Sequence, residues 1–229
     1  MKERPILFSA PMVRALLAGT KTQTRRVAKV ESTLGIDSIL APRRAGSHAA
    51  TYLLPDQAAE AAVCCPYGQP GDRLWVRETW QGPLMNIEEW EKHYFSDADE
   101  IPAIFLTPAH CQYAADGGPA PEFMTMDDEI VARWKPSIHM PRWASRILVE
   151  ITNVRIERLQ DISEADAAAE GVATWAPGAL SPDSLGNDPS DQFRWLWTSI
   201  NGPSSWHVNP WVWALDFQLS QTHQQGPKQ

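Results

Sequence analysis

The chain has 229 residues, a formal net charge of −8, and 43% hydrophobic against 21% charged residues, which allows one large globular domain or two small ones. No apolar run approaches the roughly 20 residues of a membrane-spanning helix, and the start Met1-Lys2-Glu3-Arg4-Pro5 lacks the apolar core of a secretory signal. No membrane partner and a cytoplasmic location are therefore expected. The cysteines Cys64, Cys65 and Cys111 form neither a disulfide framework nor CxxC pairs, and the six histidines lack HExxH spacing, so no metal and no cofactor are expected.

In chain order, Ile6-Leu7-Phe8 reads as a strand, and Pro11 opens a helix through Met12, Val13, Leu16 and Leu17 that Gly19 ends. The polar run from Gly19 to Val27 turns into a second strand. Residues 31–70 read as loop, with a short Ala-rich helix over 57–63. Gly71-Asp72 is a turn in front of the strand Leu74-Trp75-Val76-Arg77-Glu78. Residues 83–140 read as an insertion. It holds an acidic amphipathic stretch at 87–94, a strand near Cys111, the turn Asp116-Gly117-Gly118-Pro119 and an acidic run at 127–129.

The longest strand signal lies at 146–158, with a parity change at Thr152-Asn153 that predicts a bulge or bend. Ser163-Glu164-Ala165-Asp166 caps a helix that runs to Glu170, and Gly171 closes it. A further helix covers 190–200, with Phe193, Leu196, Trp197 and Ile200 at helical spacing. Residues 211–219 form a last strand whose odd positions face one side. Helices and strands do not alternate regularly, which excludes a doubly wound parallel sheet. The expected class is α+β: a small mixed β-barrel with short helices at its ends. The expected organisation is a single domain over 1–220 with the insertion 83–140, and a polar tail over 221–229.

Charge is unevenly placed. Residues 1–30 hold seven Lys or Arg against one acid, so a local basic face on an acidic body is expected. Eleven tryptophans serve equally as core or as stacking surface for bases.

The string Leu17-Ala18-Gly19-Thr20-Lys21-Thr22-Gln23-Thr24-Arg25-Arg26 resembles the G-x-K-T-x-x-x-R signature of ASCH-domain proteins. Gly71-Asp72-Arg73-Leu74-Trp75-Val76, the strand at 146–159, the capped helix at 162–172 and the strand at 211–219 resemble the family's later blocks, in order. Together they cover about half of the chain. Cys65-Pro66-Tyr67-Gly68 and the strings at 71–80 and 134–146 resemble the longer ASCH proteins of phages and prophages. The resemblance implies a PUA-like β-barrel that binds RNA or a modified nucleoside. One member type is an amidohydrolase that deacetylates N4-acetylcytidine with a Thr, a Lys and a Glu. These fall on Thr24, Lys21 and Glu170, and the two large insertions are departures from the compact family core.

The chemistry is coherent on its own terms. Thr24 would attack the acyl carbon, a desolvated Lys21 would take its proton, and Glu170 would hold the lysine or pass a proton to the departing amine. In a straight strand residues 21 and 24 point to opposite faces, so the dyad requires a bend. Arg26, Arg77, Glu78, Trp80, His139, Arg142 and Trp143 are candidates for phosphate contacts and base stacking. Each has a structural reading as well: a turn threonine, a solvated helix end, a tryptophan under a loop. Three function classes stay open: hydrolysis of an N4-acylated cytidine, a non-catalytic RNA-binding module of a phage or prophage, and a ribonuclease.

Overall fold

The computed structural model describes residues 1–28, 39–40, 49–54, 57–85, 88, 101–124, 129–172 and 188–222. Its strands are β1 (Glu3–Leu7), β2 (Gln23–Val27), β3 (Ile39–Leu40), β4 (Ala49–Leu54), β5 (Gln57–Cys64), β6 (Arg73–Arg77), β7 (Trp80–Gln81), β8 (Gln112–Tyr113), β9 (Glu122–Met124), β10 (Ile130–Ala132), β11 (Ile147–Arg158) and β12 (Trp211–Thr222). The helices are α1 (Ala10–Leu17), α2 (Glu164–Ala169) and α3 (Pro189–Asn201). The class is α+β. Among the described residues no helix is long and apolar enough to cross a membrane, and no group of three or more His, Cys, Asp or Glu is placed to hold a metal ion.

Five strands form one sheet in the order β1-β6-β11-β12-β2. β1, β6, β11 and β12 fall in segments with an apolar strand pattern, whereas β2 is the strand into which the polar run 19–27 turns. The amide of Arg73 donates to the Lys2 carbonyl and that of Phe8 to the Arg77 carbonyl, a parallel pairing of β1 with β6. β12 and β2 pair antiparallel, with Thr24 opposite Leu215. The sheet is therefore mixed.

In β11 Ile147, Leu148, Val149, Ile151 and Val154 are buried; from Val149 on, the buried positions pass from odd to even across Thr152-Asn153, where the sequence predicts a parity change. β12 departs from expectation. Val212, Trp213, Ala214 and Leu215 are all buried, so even as well as odd positions are covered. A strand buried on both faces reads as a continuous apolar run rather than an alternating one.

Residues 57–63 correct the sequence reading. They are strand, not helix, and pair antiparallel with β4 over Ala49↔Cys64 to Leu54↔Gln57, while β3 pairs with the other edge of β4. Alanine's helix preference is a few tenths of a kcal/mol per residue and yields to a ladder partner. The acidic stretch at 87–94, most of the run at 127–129 and the tail after 222 lie outside the described residues.

The chain divides into two compact units. The first comprises Met1–Arg4, Ala15–Leu74 and Val149–Leu219; the second comprises Pro5–Arg14, Trp75–Leu148 and Ser220–Gln229. Buried in the first are Leu74, Val149, Ile151, Leu159, Phe193, Trp197 and Trp213, among others. In the second, Trp80, Cys111, Tyr113, Met140 and Ala144 form one apolar cluster, with Trp143 packed against it. Helix ends follow their capping chemistry: Ser163 accepts from the Asp166 amide, and Asp188 accepts from the Ser190 amide with Pro189 at the first helical position.

Candidate functional site

Lys21 leaves α1 through a tight turn, its amide donating to the Ala15 carbonyl at 3.1 Å. It then forms a single antiparallel bridge with Glu170, reinforced by Thr22 N–H donating to the Ala169 carbonyl at 2.8 Å. This seats the end of α2 against the start of β2. The Lys21 ammonium donates to Glu170 Oε2 at 2.8 Å, to the Glu170 carbonyl at 2.9 Å and to the Gln23 carbonyl at 2.8 Å. The pair is 149 residues apart in sequence, with side chains 0% and 3% exposed.

Three acceptors match the three N–H groups of an ammonium. They also resolve the oddity of an acid at a helix C-terminus, because a cation there meets both the carboxylate and the terminal carbonyl. Burial pulls the Lys21 amine below its ordinary value, and Glu170 only partly offsets this. The other carboxylate oxygen, Oε1, lies 3.5 Å from Arg25 Nη1 and accepts no hydrogen bond.

Alternate residues of β2 share a face. Gln23 and Arg25 meet each other and enter a polar network. Arg25 donates to Glu157 and lies 3.3 Å from Asp166, and Gln23 donates to Asp166 and to Asp216. Arg155 closes the network, donating to Asp216 Oδ2 at 2.7 Å and to Asp166 Oδ2 at 3.2 Å. Thr24 and Arg26 meet likewise, with Arg26 Nη1 donating to Thr24 Oγ1 at 2.9 Å. Thr24 is 0% exposed. Burial lowers the Arg26 guanidinium below its ordinary value, while Glu170 and then Tyr67 pull it back up.

The early cations divide between surface and interior: Lys2 and Arg14 are exposed, and Lys29 lies outside the described residues. Of the seven early cations, Arg4, Lys21 and Arg25 are ion-paired with Asp72, Glu170 and Glu157, and Lys21 and Arg25 are buried. A charge placed in the interior is retained only when it is paired, which is how Lys21 and Arg25 are held.

The remaining candidates lie in the second unit. Glu78, 1% exposed, accepts a bidentate pair from Arg146, which also donates to both oxygens of Asp116 and lies 3.9 Å over the Tyr113 ring. Arg77 donates to the carbonyls of Met140 and Ile138, bracing the turn that carries His139. Trp80 is buried and meets Trp143 edge-on at 5.5 Å, and Lys135 sits 4.9 Å from its ring centre. His139 and Arg142 are exposed. Gln23, Arg25, Arg155, Glu157, Asp166 and Asp216 form a connected polar network that no sequence motif marks. The one sequence signal was Asp216, a lone acid inside the apolar run of β12.

Gly171 has φ +79°, and a Cβ there would lie 2.9 Å from the Cβ atoms of both Ala15 and Lys21. Gly171→Ala is expected to destabilise the first unit by about 2 kcal/mol or more, combining left-handed strain with overpacking. A urea midpoint equal to that of the parent protein would show that neither matters.

Compared with protein-family models, with curated proteins and with solved structures, the chain matches none of them.

Proposed function

We propose that the chain is a cytoplasmic ASCH-type protein with a PUA-like β-barrel, which binds RNA or a modified nucleoside and hydrolyses the amide of N4-acylated cytidine. The observation that carries this reading is the buried contact of the Lys21 ammonium with the Glu170 carboxylate at 2.8 Å, between residues that the motif resemblance selects 149 positions apart. Transfer of the Lys21 proton to Glu170 leaves a neutral amine, which burial favours. That amine takes the Thr24 proton as the hydroxyl oxygen attacks the acyl carbon. The Arg26 N–H already directed at Thr24 Oγ1 stabilises the negative charge that builds on that oxygen as its proton leaves. The proton then moves to the N4 leaving amine, releasing cytidine, and water hydrolyses the acyl-threonine to a free carboxylic acid.

Incubating the protein with N4-acetylcytidine and longer acyl homologues, with products read by mass spectrometry, tests this directly. Thr24→Ala is expected to lower turnover by about 10²-fold or more while leaving nucleoside affinity within about twofold, because a nucleophile acts in the chemical step. Absence of deacylation by the parent protein across the panel would remove the hydrolytic reading.

The complete burial of Thr24 and the three acceptors around Lys21 favour a second reading. In it the ion pair locks α2 to β2 beneath a binding surface, and the protein binds RNA without chemistry. Nucleoside or RNA binding without acid release is its signature.

A further inference from the structure

The turn that follows α3 gathers a second set of aromatic and cationic side chains, built without the Lys21 pair. Arg194, on the exposed side of α3, has its guanidinium carbon 5.9 Å from the centre of the Trp206 ring. Phe193, its neighbour in the helix, packs on that ring from 6.2 Å. Arg158, at the end of β11, lies 4.3 Å over the Trp211 ring.

The backbone between the two tryptophans is held in place. Gln160 Nε2 donates to the Trp206 carbonyl at 2.9 Å, the Gln160 amide donates to Asn209 Oδ1 at 2.9 Å, and Arg158 Nη1 donates to the Asn209 carbonyl at 3.1 Å. Asn209 sits at φ +44°, in the left-handed region that asparagine tolerates and that tight turns use. Both Arg–Trp pairs are thus anchored to one rigid turn.

Among the described residues neither guanidinium meets a carboxylate. Arg4, Arg25, Arg146 and Arg155 all pair with carboxylates. Arg158 and Arg194 form no ion pair among the described residues. A guanidinium laid on an indole keeps its N–H edge free for an anion and extends the flat surface that the ring presents. Carboxylates on an acidic peptide would meet the cations but leave the rings without a stacking partner. Alternating phosphates and bases meet both.

We propose that the 202–211 turn, with Arg158 and Arg194, is a docking platform for single-stranded nucleic acid, its guanidiniums contacting phosphates and Trp206 and Trp211 stacking on bases. This deepens the nucleic-acid half of the function proposed above and rests on it, but it is independent of hydrolysis.

Fluorescence anisotropy with labelled single strands of about a dozen nucleotides, as RNA and as DNA, provides the test. The parent protein binds, and affinity falls steeply with salt. Arg158→Gln with Arg194→Gln weakens binding and reduces the log–log salt slope by about 1.4, the value for two phosphate contacts on a single strand. Trp206→Leu costs about tenfold in affinity, the scale of one lost base stack. Arg194→Gln alone, on an exposed helix face with a ring as its side-chain contact, keeps the parent melting curve and still loses affinity. The arginine variants deacylate free N4-acetylcytidine at the parent rate.

Unchanged oligonucleotide affinity and slope in the double arginine variant would overturn the platform and leave nucleic-acid binding elsewhere on the protein. No binding by the parent protein at low salt would overturn both the platform and the RNA half of the function. Competition by poly-glutamate as strong as by unlabelled RNA would overturn the assignment to nucleic acid.

Discussion

Replacing Lys21 with methionine is expected to destabilise the first unit by about 3–5 kcal/mol, the cost of leaving one member of a buried ion pair without its partner. Methionine fills nearly the same volume, so the loss is electrostatic. Glu170, with its side chain 3% exposed, would lose the N–H at 2.8 Å and be left with Arg25 at 3.5 Å and the weaker field of Arg26. The terminal carbonyl of Glu170 and the Gln23 carbonyl would lose a donor as well. Urea denaturation followed by tryptophan fluorescence measures the effect. Lys21→Met combined with Glu170→Leu should recover most of it, since an apolar pair of similar size carries no desolvation cost. A loss below about 1 kcal/mol in the single variant would mean that the pair behaves like an exposed one. Because both readings of the function need the pair intact, this experiment weighs its structural contribution apart from its chemistry.

The second unit should respond as strongly to Arg146→Met, again by about 3–5 kcal/mol. Its guanidinium is the counter-charge of Glu78, which is 1% exposed, and it lies against the Tyr113 ring. Burial already pushes the Glu78 carboxyl above its ordinary value, and Arg146 holds it back. Without Arg146 it rises further. A carboxylate whose folded pKa is raised binds its proton more tightly when folded, so the penalty grows as pH rises above the ordinary glutamate range. The deficit should therefore be larger at neutral than at mildly acidic pH. Arg146→Lys should fall between, because an ammonium keeps the charge but loses the bidentate fork and the flat contact with the ring. An equal deficit at both pH values would mean that lost packing, rather than the stranded carboxylate, dominates.

The main strands could be read from the sequence because each carries its own evidence. Gly71-Asp72 punctuates the start of β6, and the apolar runs of β11 and β12 are long and rich in branched or aromatic residues. The Ala-rich β5 has no such period, and its strand state depends on β4, which a local window does not contain. The helix cap at Ser163 was legible because capping chemistry is local.

Glu170 stood out for a local reason as well: an acid at a helix C-terminus opposes the dipole there. Its partner had to come from the motif. Nothing local announces that Arg25 runs to Glu157 and Asp166, or that Gln23 spans to Asp216 across 193 residues. Those contacts exist only once β2, α2, β11 and β12 are brought together, so the charge count alone sent the same cations to the surface.

The order β11-β12-β2 has a consequence for how the protein is made. β2 emerges early from the ribosome, yet its neighbour in the sheet is β12, and Thr24 finds its ladder partner only when Leu215 has been synthesised. Through most of translation β2 therefore has no β12 to pair with. Pairings this distant form slowly, because the closure entropy of the long intervening chain comes before any reward from the contact. The Lys21–Glu170 bridge sits beside that late-closing ladder. Chains arrested before β12 would present an unpaired β2 edge, a template for association with other chains. Quality control during synthesis, rather than the equilibrium stability of the finished fold, would then decide how much protein reaches a state with its candidate site assembled.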